Sequence, residues 1–355
     1  MLFSKIEASI TLWISLKAES KMDKKEMGIR KINRYERKWK WRKFYFHKIL
    51  RRHIFEKYFH CDIVMPRYAG RWVYGRKKTN EWIEDKILSG EPFMVARFGN
   101  TELQVLVSVL QERVEGKSEK SKKRFEEWFP RLVSGAGFFP DDETLAENFA
   151  DVLLSACKET DLLAMWHCDM EDYVISEYME NLELTYLTRI EPWRAKNPWS
   201  RALKGKRVLV IHPFEESIKS QYARREKLFE NDEILPDFEL ITLKAVQTIA
   251  GMRDERFHDW FEALNYMYQE AMKKEFDIAI IGCGAYGMPL AAMIKKAGKQ
   301  AIHMGGVTQL LFGIKGKRWM ESPTVKMDFN NYWVYPSEKE TPIQCKMVEN
   351  GCYWK

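Results

Sequence analysis

One segment near the C-terminal end, residues 276–306 (FDIAIIGCGAYGMPLAAMIKKAGKQAIHMGG), restricts the fold more than any other. Residues 278–281 are an unbroken apolar run, the pattern of a strand buried on both faces. Gly282, Gly284 and Gly287 then form a glycine-rich turn. Leu290, Met293, Ile294 and Ala297 recur at three- and four-residue spacing, which predicts a helix. Gly298 stops it, and residues 299–304 read as a second strand running into Gly305 and Gly306. The result is a β-α-β unit whose first turn and helix N-terminus offer backbone N–H groups to a phosphate.

The three glycines spell G-x-G-x-x-G, so a dinucleotide site is one reading. Such a site also calls for an acid at the end of the second strand, to hold ribose hydroxyls. Here that strand ends His303-Met304-Gly305-Gly306, without an acid. The unit also comes late in the chain. A nucleoside diphosphate sugar needs the same cradle without the acid and fits better. A third reading is that the glycines only permit close strand-helix packing.

The rest of the chain alternates strand and helix patterns. Strands are predicted over 93–98, 161–166, 183–188, 206–211 and 238–245, and helices over 79–88, 117–128, 143–157, 171–179, 215–229 and 254–274. Regular alternation predicts an α/β fold, a doubly wound, mostly parallel, Rossmann-like sheet covered by helices. Residues 58–330 would form this domain, 1–57 an N-terminal helical arm and 331–355 a tail. In such sheets ligands bind beyond the carboxyl ends of the strands. That rule selects residues 97–102, 167–172, 212–217, 282–287 and 303–306.

Charge separates the arm from the domain. Residues 21–57 hold fifteen Lys/Arg against four Asp/Glu, and residues 1–20 balance. The whole chain is +7, so the remainder is −4. Aromatic residues interleave with the basic ones, among them Tyr35, Trp39, Trp41, Phe44 and Tyr45. That mixture suits an anionic membrane surface and points to a peripheral position on the inner face of the plasma membrane. A helix packed on the domain is the structural alternative, and nucleic acid the less favoured partner. No run reaches the ~20 apolar residues of a membrane span. The six cysteines show no C-x-x-C and no zinc spacing, which suggests free thiols and a cytoplasmic setting.

Arg97-Phe98-Gly99-Asn100-Thr101-Glu102 follows a short strand and opens a helix. Asn100 is placed to cap that helix. An arginine, a glycine turn and a carboxylate at a helix start suit a phosphate together with a metal or a sugar hydroxyl. Ser217, Gln221 and Arg224 share a helix face and are candidates for phosphate or acceptor contacts. Glu102, Asp169, His167 and His303 are candidates for the base that takes a proton from an acceptor hydroxyl. Trp166 and Tyr286 offer rings for stacking on a sugar or base.

The segment R-F-G-x-x-E resembles the R-F-G-D-G-E signature of GT-D type bacterial glycosyltransferases, and residues 276–306 are similar to that family's late strand-turn-helix-strand unit. The resemblance spans roughly residues 91–319. It implies a glycosyltransferase of hexosyltransferase type, moving sugar from a nucleoside diphosphate donor, of uridine type, to a cell-surface polysaccharide such as capsule or to a lipid-linked glycan. The residues expected to contact the donor are Arg97, Gly99, Asn100, Gly282, Gly284, Gly287 and Gly305 in the two matching motifs, with Ser217 and Tyr286 from their own positions in the chain; Glu102 and His303 in those motifs and Asp169 at a strand end are the expected catalytic residues. In the family, the Asp and Glu of D-x-E reach the donor diphosphate through Mn²⁺ or Mg²⁺. Glu102 matches the Glu, and Asn100 stands where the family has Asp. An amide is the weaker ligand for either ion, which puts the metal in question.

Overall fold

The computed structural model describes residues 24–43, 45–46, 49–50, 54, 58, 64–249, 252–321, 329–348 and 351–355. The stretch 1–20 and several arm residues, Phe44, Lys48, Arg51 and Arg52 among them, lie outside the described residues.

Among the described residues, nine strands form one sheet in the order β1-β2-β5-β4-β3-β9-β8-β6-β7. They are β1 (Arg67–Tyr68), β2 (Arg71–Tyr74), β3 (Met94–Ala96), β4 (Leu162–Met165), β5 (Glu183–Tyr186), β6 (Arg207–His212), β7 (Glu239–Lys244), β8 (Ile278–Ile281) and β9 (Gln300–His303). Every neighbouring pair is parallel except the β1–β2 hairpin. The helices are α1 (Lys24–Trp41), α2 (Arg76–Ser89), α3 (Asn100–Glu115), α4 (Glu119–Ala136), α5 (Ala146–Glu159), α6 (Glu171–Tyr178), α7 (Glu215–Tyr222), α8 (Trp260–Met272), α9 (Gly287–Lys296), α10 (Thr308–Leu311) and α11 (Lys317–Met320).

The sheet is apolar on both faces, as its uninterrupted hydrophobic strands require. Alternate residues divide between two cores. Met94, Leu163, Leu209 and Ile281 enter one, with Leu106, Phe129, Phe149, Trp260 and Leu290 from α3, α4, α5, α8 and α9. Val95, Ala164, Val210 and Ile280 enter the other, with Ile83, Trp199, Ile218 and Trp354. A sheet covered on both faces is the doubly wound arrangement expected from the alternation.

The winding direction reverses at the centre. From β3 the chain proceeds outward through β4 to β5; from β6 and β7 it returns inward through β8 to β9, which pairs with β3. The carboxyl ends of β3, β9 and β8 therefore border the switch point, where open α/β sheets form their ligand crevice.

Several local expectations change. Residues 66–75, where Pro66, Gly70 and Gly75 suggest a loop, contain the β1–β2 hairpin. The helix expected over 254–274 begins only at Trp260, where the Asp259 carboxylate accepts from Glu262 N. The helix expected over 215–229 ends at Tyr222. The helix expected over 117–128 continues to Ala136 and buries Phe129 and Leu132, so it is not a surface element.

Both flanking segments pack on the domain. Ile32 of α1 is fully buried in the first core. Gln111 donates to Glu36 at 2.9 Å, Lys31 pairs with Glu177 at 2.9 Å, and Arg42 pairs with the buried Asp172. In the tail, Trp333, Val348 and Trp354 are buried. Glu340 accepts from the backbone N–H of Glu216 at 2.8 Å and so caps α7 from 124 residues away.

Candidate active site

Arg97 leaves β3 at the switch point. Its guanidinium lies 5.3 Å from the Trp166 ring, whose indole N–H donates to Phe98 O at 3.0 Å. It also lies across Gly305 on the neighbouring strand connection, where a Cβ would come 2.9 Å from Arg97 Nη1. Gly305 holds φ +67°, a conformation that glycine adopts without strain. Among the described residues the buried Arg97 Nε has no hydrogen-bond partner. A desolvated donor of this kind costs about 1–3 kcal/mol, more when charged, unless an acceptor arrives.

Two residues on, Gly99 is the N-cap of α3, in extended conformation and without a side-chain cap. Asn100 is therefore the first helical residue rather than the cap. The Glu102 carboxyl folds back over Gly99, where a Cβ would lie 1.9 Å from Oε2. It sits against the N-terminus of α3, where unpaired N–H groups and the helix dipole favour negative charge. Burial raises the Glu102 carboxyl above its usual range, partly offset by its own backbone N–H and by Arg97.

The β4–α6 turn supplies the opposite wall. His167 and Met170 hold φ of +62° and +60°, unusual for residues with side chains. Glu171 holds the turn from inside: fully buried, it accepts from Trp166 N at 3.3 Å and Cys168 N at 3.2 Å. Burial pushes its carboxyl up to about 7 against these hydrogen bonds. The turn presents Asp169, whose Oδ2 accepts from Arg124 Nη1 at 3.0 Å while Oδ1 is buried without a partner. Gln104 donates to Asp169 O at 2.9 Å and to Asn100 Oδ1 at 3.3 Å, and Arg124 donates to Gln104 Oε1. Asn100, Gln104, Arg124 and Asp169 thus form one network beside Arg97 and Glu102.

Gln104 and Arg124 are absent from the reading of the sequence. Arg124 had a signal: it falls between Ser121 and Phe129 on the stripe that α4 buries, and a cation on an inward stripe requires a partner.

Other expected site residues have structural duties. Each glycine of G-x-G-x-x-G has a packing reason. A Cβ at Gly282 would meet Thr308 Oγ1 at 2.6 Å, and at Gly287 it would meet the His303 ring at 2.1 Å. Gly284 has φ +58° and would meet Ala136 O at 2.8 Å. Tyr286 is 1% exposed, stacked on Trp260 at 5.1 Å and hydrogen-bonded to Thr248 Oγ1 at 2.9 Å. Its ring belongs to the core and is not presented for stacking on a base. Ser217 is buried and donates to Glu340, and Gln221 donates to Gly313 O at 2.8 Å while its own oxygen accepts from Arg224. That face of α7 is occupied by the tail. His303 is buried against Gly287, its Nδ1 3.3 Å from Ile281 O. Burial, then Arg97, pushes its pKa down to about 3, so the ring is neutral at physiological pH and a weak base. His212 is likewise pushed down to about 3 by burial, and its Nδ1 accepts from Phe214 N at 3.0 Å. His167 is enclosed by the rings of Phe46, Tyr68 and Tyr186.

Glu102 is the one acidic residue in the first turn of α3. Among the described residues no three of His, Cys, Asp and Glu come together to hold one. Glu102 stands with an amide, Asn100, whose oxygen already accepts from Gln104.

Five cysteines among the described residues are free thiols, four of them buried. Among the described residues no helix is long and apolar enough to cross a membrane.

No protein-family model matches the chain, and no curated protein does. Two solved structures are similar in fold. One is described as a selenomethionine-substituted domain of unknown function 1792 (11% identity, TM-score 0.38). The other is described as the highly conserved domain of unknown function 1792, with a distinct glycosyltransferase fold (10% identity, TM-score 0.37). Each alignment covers 75% of this chain and 96% of the neighbour, and nothing about this chain's chemistry rests on either.

Proposed function

We propose that the chain is a glycosyltransferase that takes a nucleoside diphosphate sugar, of uridine type, at the crevice beyond β3, β9 and β8. The acceptor is a cell-surface polysaccharide or a lipid-linked glycan. The observation that carries this reading is Arg97: a guanidinium at the switch point, beside a helix N-terminus, with a buried Nε that has no acceptor. A diphosphate supplies that acceptor, and its charge grows as the sugar leaves. Arg97 and the N–H groups opening α3 would stabilise that charge.

Transfer by direct displacement breaks the bond from the anomeric carbon to the diphosphate and forms one to the acceptor oxygen, whose proton goes to a base. Glu102 suits this role, because a carboxyl raised above its usual range is the stronger proton acceptor. Its place over Gly99 puts it next to the anion site. Asp169, held on one oxygen by Arg124 and open on the other, orients a sugar hydroxyl. The arm exposes Arg30 and Trp41 on α1 and Lys43 and Tyr45 just beyond it. It would hold the enzyme on an anionic membrane surface, at about 1 kcal/mol per basic residue. Isothermal titration with UDP tests the reading. Arg97→Gln should weaken binding about tenfold or more, as expected for a lost charged contact, and unchanged affinity would remove the site.

A further inference from the structure

A second site lies between α1 and α6. A cleft of about 530 Å³ opens there, lined by α1, the β1–β2 hairpin and one face of α6. Lys31, Arg34, Lys38, Arg42 and Arg67 line it, against the two carboxylates Asp172 and Glu177. Arg42 is paired with Asp172, and Lys31 with Glu177. Among the described residues Arg34 and Arg67 have no carboxylate partner, and Lys38 shares the charge of Asp172 with Arg42. Lys38 stands 4.8 Å from the Tyr35 ring and Arg67 4.3 Å from the Trp72 ring. Five cations against two carboxylates around one cleft favour an anion, and the two rings fix where Lys38 and Arg67 stand.

A second observation makes the anion more specific. Asp172 is 3% exposed, lines the cleft, and has one buried oxygen with no hydrogen-bond partner among the described residues. Its other oxygen accepts from Arg42. A bare anion cannot satisfy that acceptor; a ligand hydroxyl can.

We propose that this cleft binds a phosphate bearing a neighbouring hydroxyl, the chemistry shared by a glycerophospholipid headgroup and a soluble sugar or glycerol phosphate. Arg34, Lys38 and Arg67 take the phosphate, and Asp172 accepts from the hydroxyl. The inference is independent of the transferase reading, since none of these residues belongs to the Arg97 site.

Titration of the full chain at pH 8 with glycerol 3-phosphate and with methyl phosphate tests it, alongside sedimentation with phosphatidylcholine vesicles with and without phosphatidylglycerol. Glycerol 3-phosphate should bind about tenfold more tightly than methyl phosphate, whose dianion has no O–H to donate, the worth of one satisfied buried acceptor. Arg34→Gln with Lys38→Gln, both on the exposed surface of α1, should reduce binding of both phosphates by about tenfold or more. Arg37→Gln with Lys40→Gln, which line a separate cleft toward Lys120, should not. Asp172→Asn should bring the two phosphates to similar affinity. Retention by phosphatidylglycerol vesicles, lost in the Arg34/Lys38 variant, identifies a lipid source; soluble binding without vesicle retention identifies a free phosphate. Absence of binding by every probe overturns the proposal. So does an equal loss in the Arg37/Lys40 pair, or equal affinity of the two phosphates in the unaltered chain.

Discussion

The Arg97 guanidinium lies across Gly305, so closely that a Cβ at 305 would stand 2.9 Å from Nη1. Adjacent parallel strands thus bring a cation and a bare backbone together at the switch point. Gly305→Ala should both strain the φ of +67° and push Arg97 aside. Gly298 provides the control, with φ +82° and open space around a Cβ. Either alanine should cost about 1 kcal/mol of stability from backbone strain. Only Gly305→Ala should also abolish stabilisation by UDP in a thermal melt.

Glu102→Gln should lower transfer about 100-fold or more, the usual worth of a catalytic base. The fold should survive, because burial already disfavours the charged form of Glu102. Sugar transfer from a UDP-linked donor and the melting temperature, read together, separate loss of chemistry from loss of structure.

Glu171 makes stability depend on pH. Its carboxyl is raised to about 7 from 4.5, so between these values the folded chain holds the proton and the unfolded chain does not. Its contribution is fully present below about pH 4.5 and is lost as pH rises through about 7. The buried His212 and His303 act oppositely, losing stability as pH falls from 6.5 toward about 3. Glu171→Gln should therefore gain stability relative to the unaltered chain as pH rises from 5 to 8. Urea unfolding at a series of pH values gives that difference, and a flat difference curve would contradict the assignment.

Much of the fold is legible from periodicity. The runs at 278–281 and 208–211 are apolar throughout, and both strands are paired on each side in the sheet. The Arg97–Glu102 segment follows from its place between an apolar strand and an amphipathic helix. The role of the glycines at 282, 284 and 287 is not legible in the same way. A turn that receives a phosphate and a turn that receives Thr308, Ala136 O and the His303 ring both require glycine. Ser217 and Tyr286 are hidden for a related reason. Their partners Glu340, Trp260 and Thr248 are distant in sequence and reach them only through tertiary packing. Arg124 is obscured by the charged residues around it in α4.

The basic arm shows what composition conceals. Its charge suggests a solvated segment, but Ile32 is fully buried in the first core. Ile32→Ala should cost about 2–5 kcal/mol, as for other fully buried aliphatic residues. Arg42→Gln should cost about 3–5 kcal/mol, because Asp172 would be left charged and buried. Chemical denaturation of each variant checks both figures. A change near zero in either would mean that α1 is not part of the folding unit.

The most direct test of the central claim is a thermal-shift comparison of the full chain with UDP, GDP, NAD and S-adenosylmethionine, each with EDTA and with Mn²⁺. In the proposed reading Arg97 and the N-terminus of α3 hold the diphosphate, and among the described residues no three of His, Cys, Asp and Glu come together beside them. The account therefore predicts that UDP raises the melting temperature equally in EDTA and in Mn²⁺, and that Arg97→Gln abolishes the rise. Stabilisation by NAD or S-adenosylmethionine alone would contradict it.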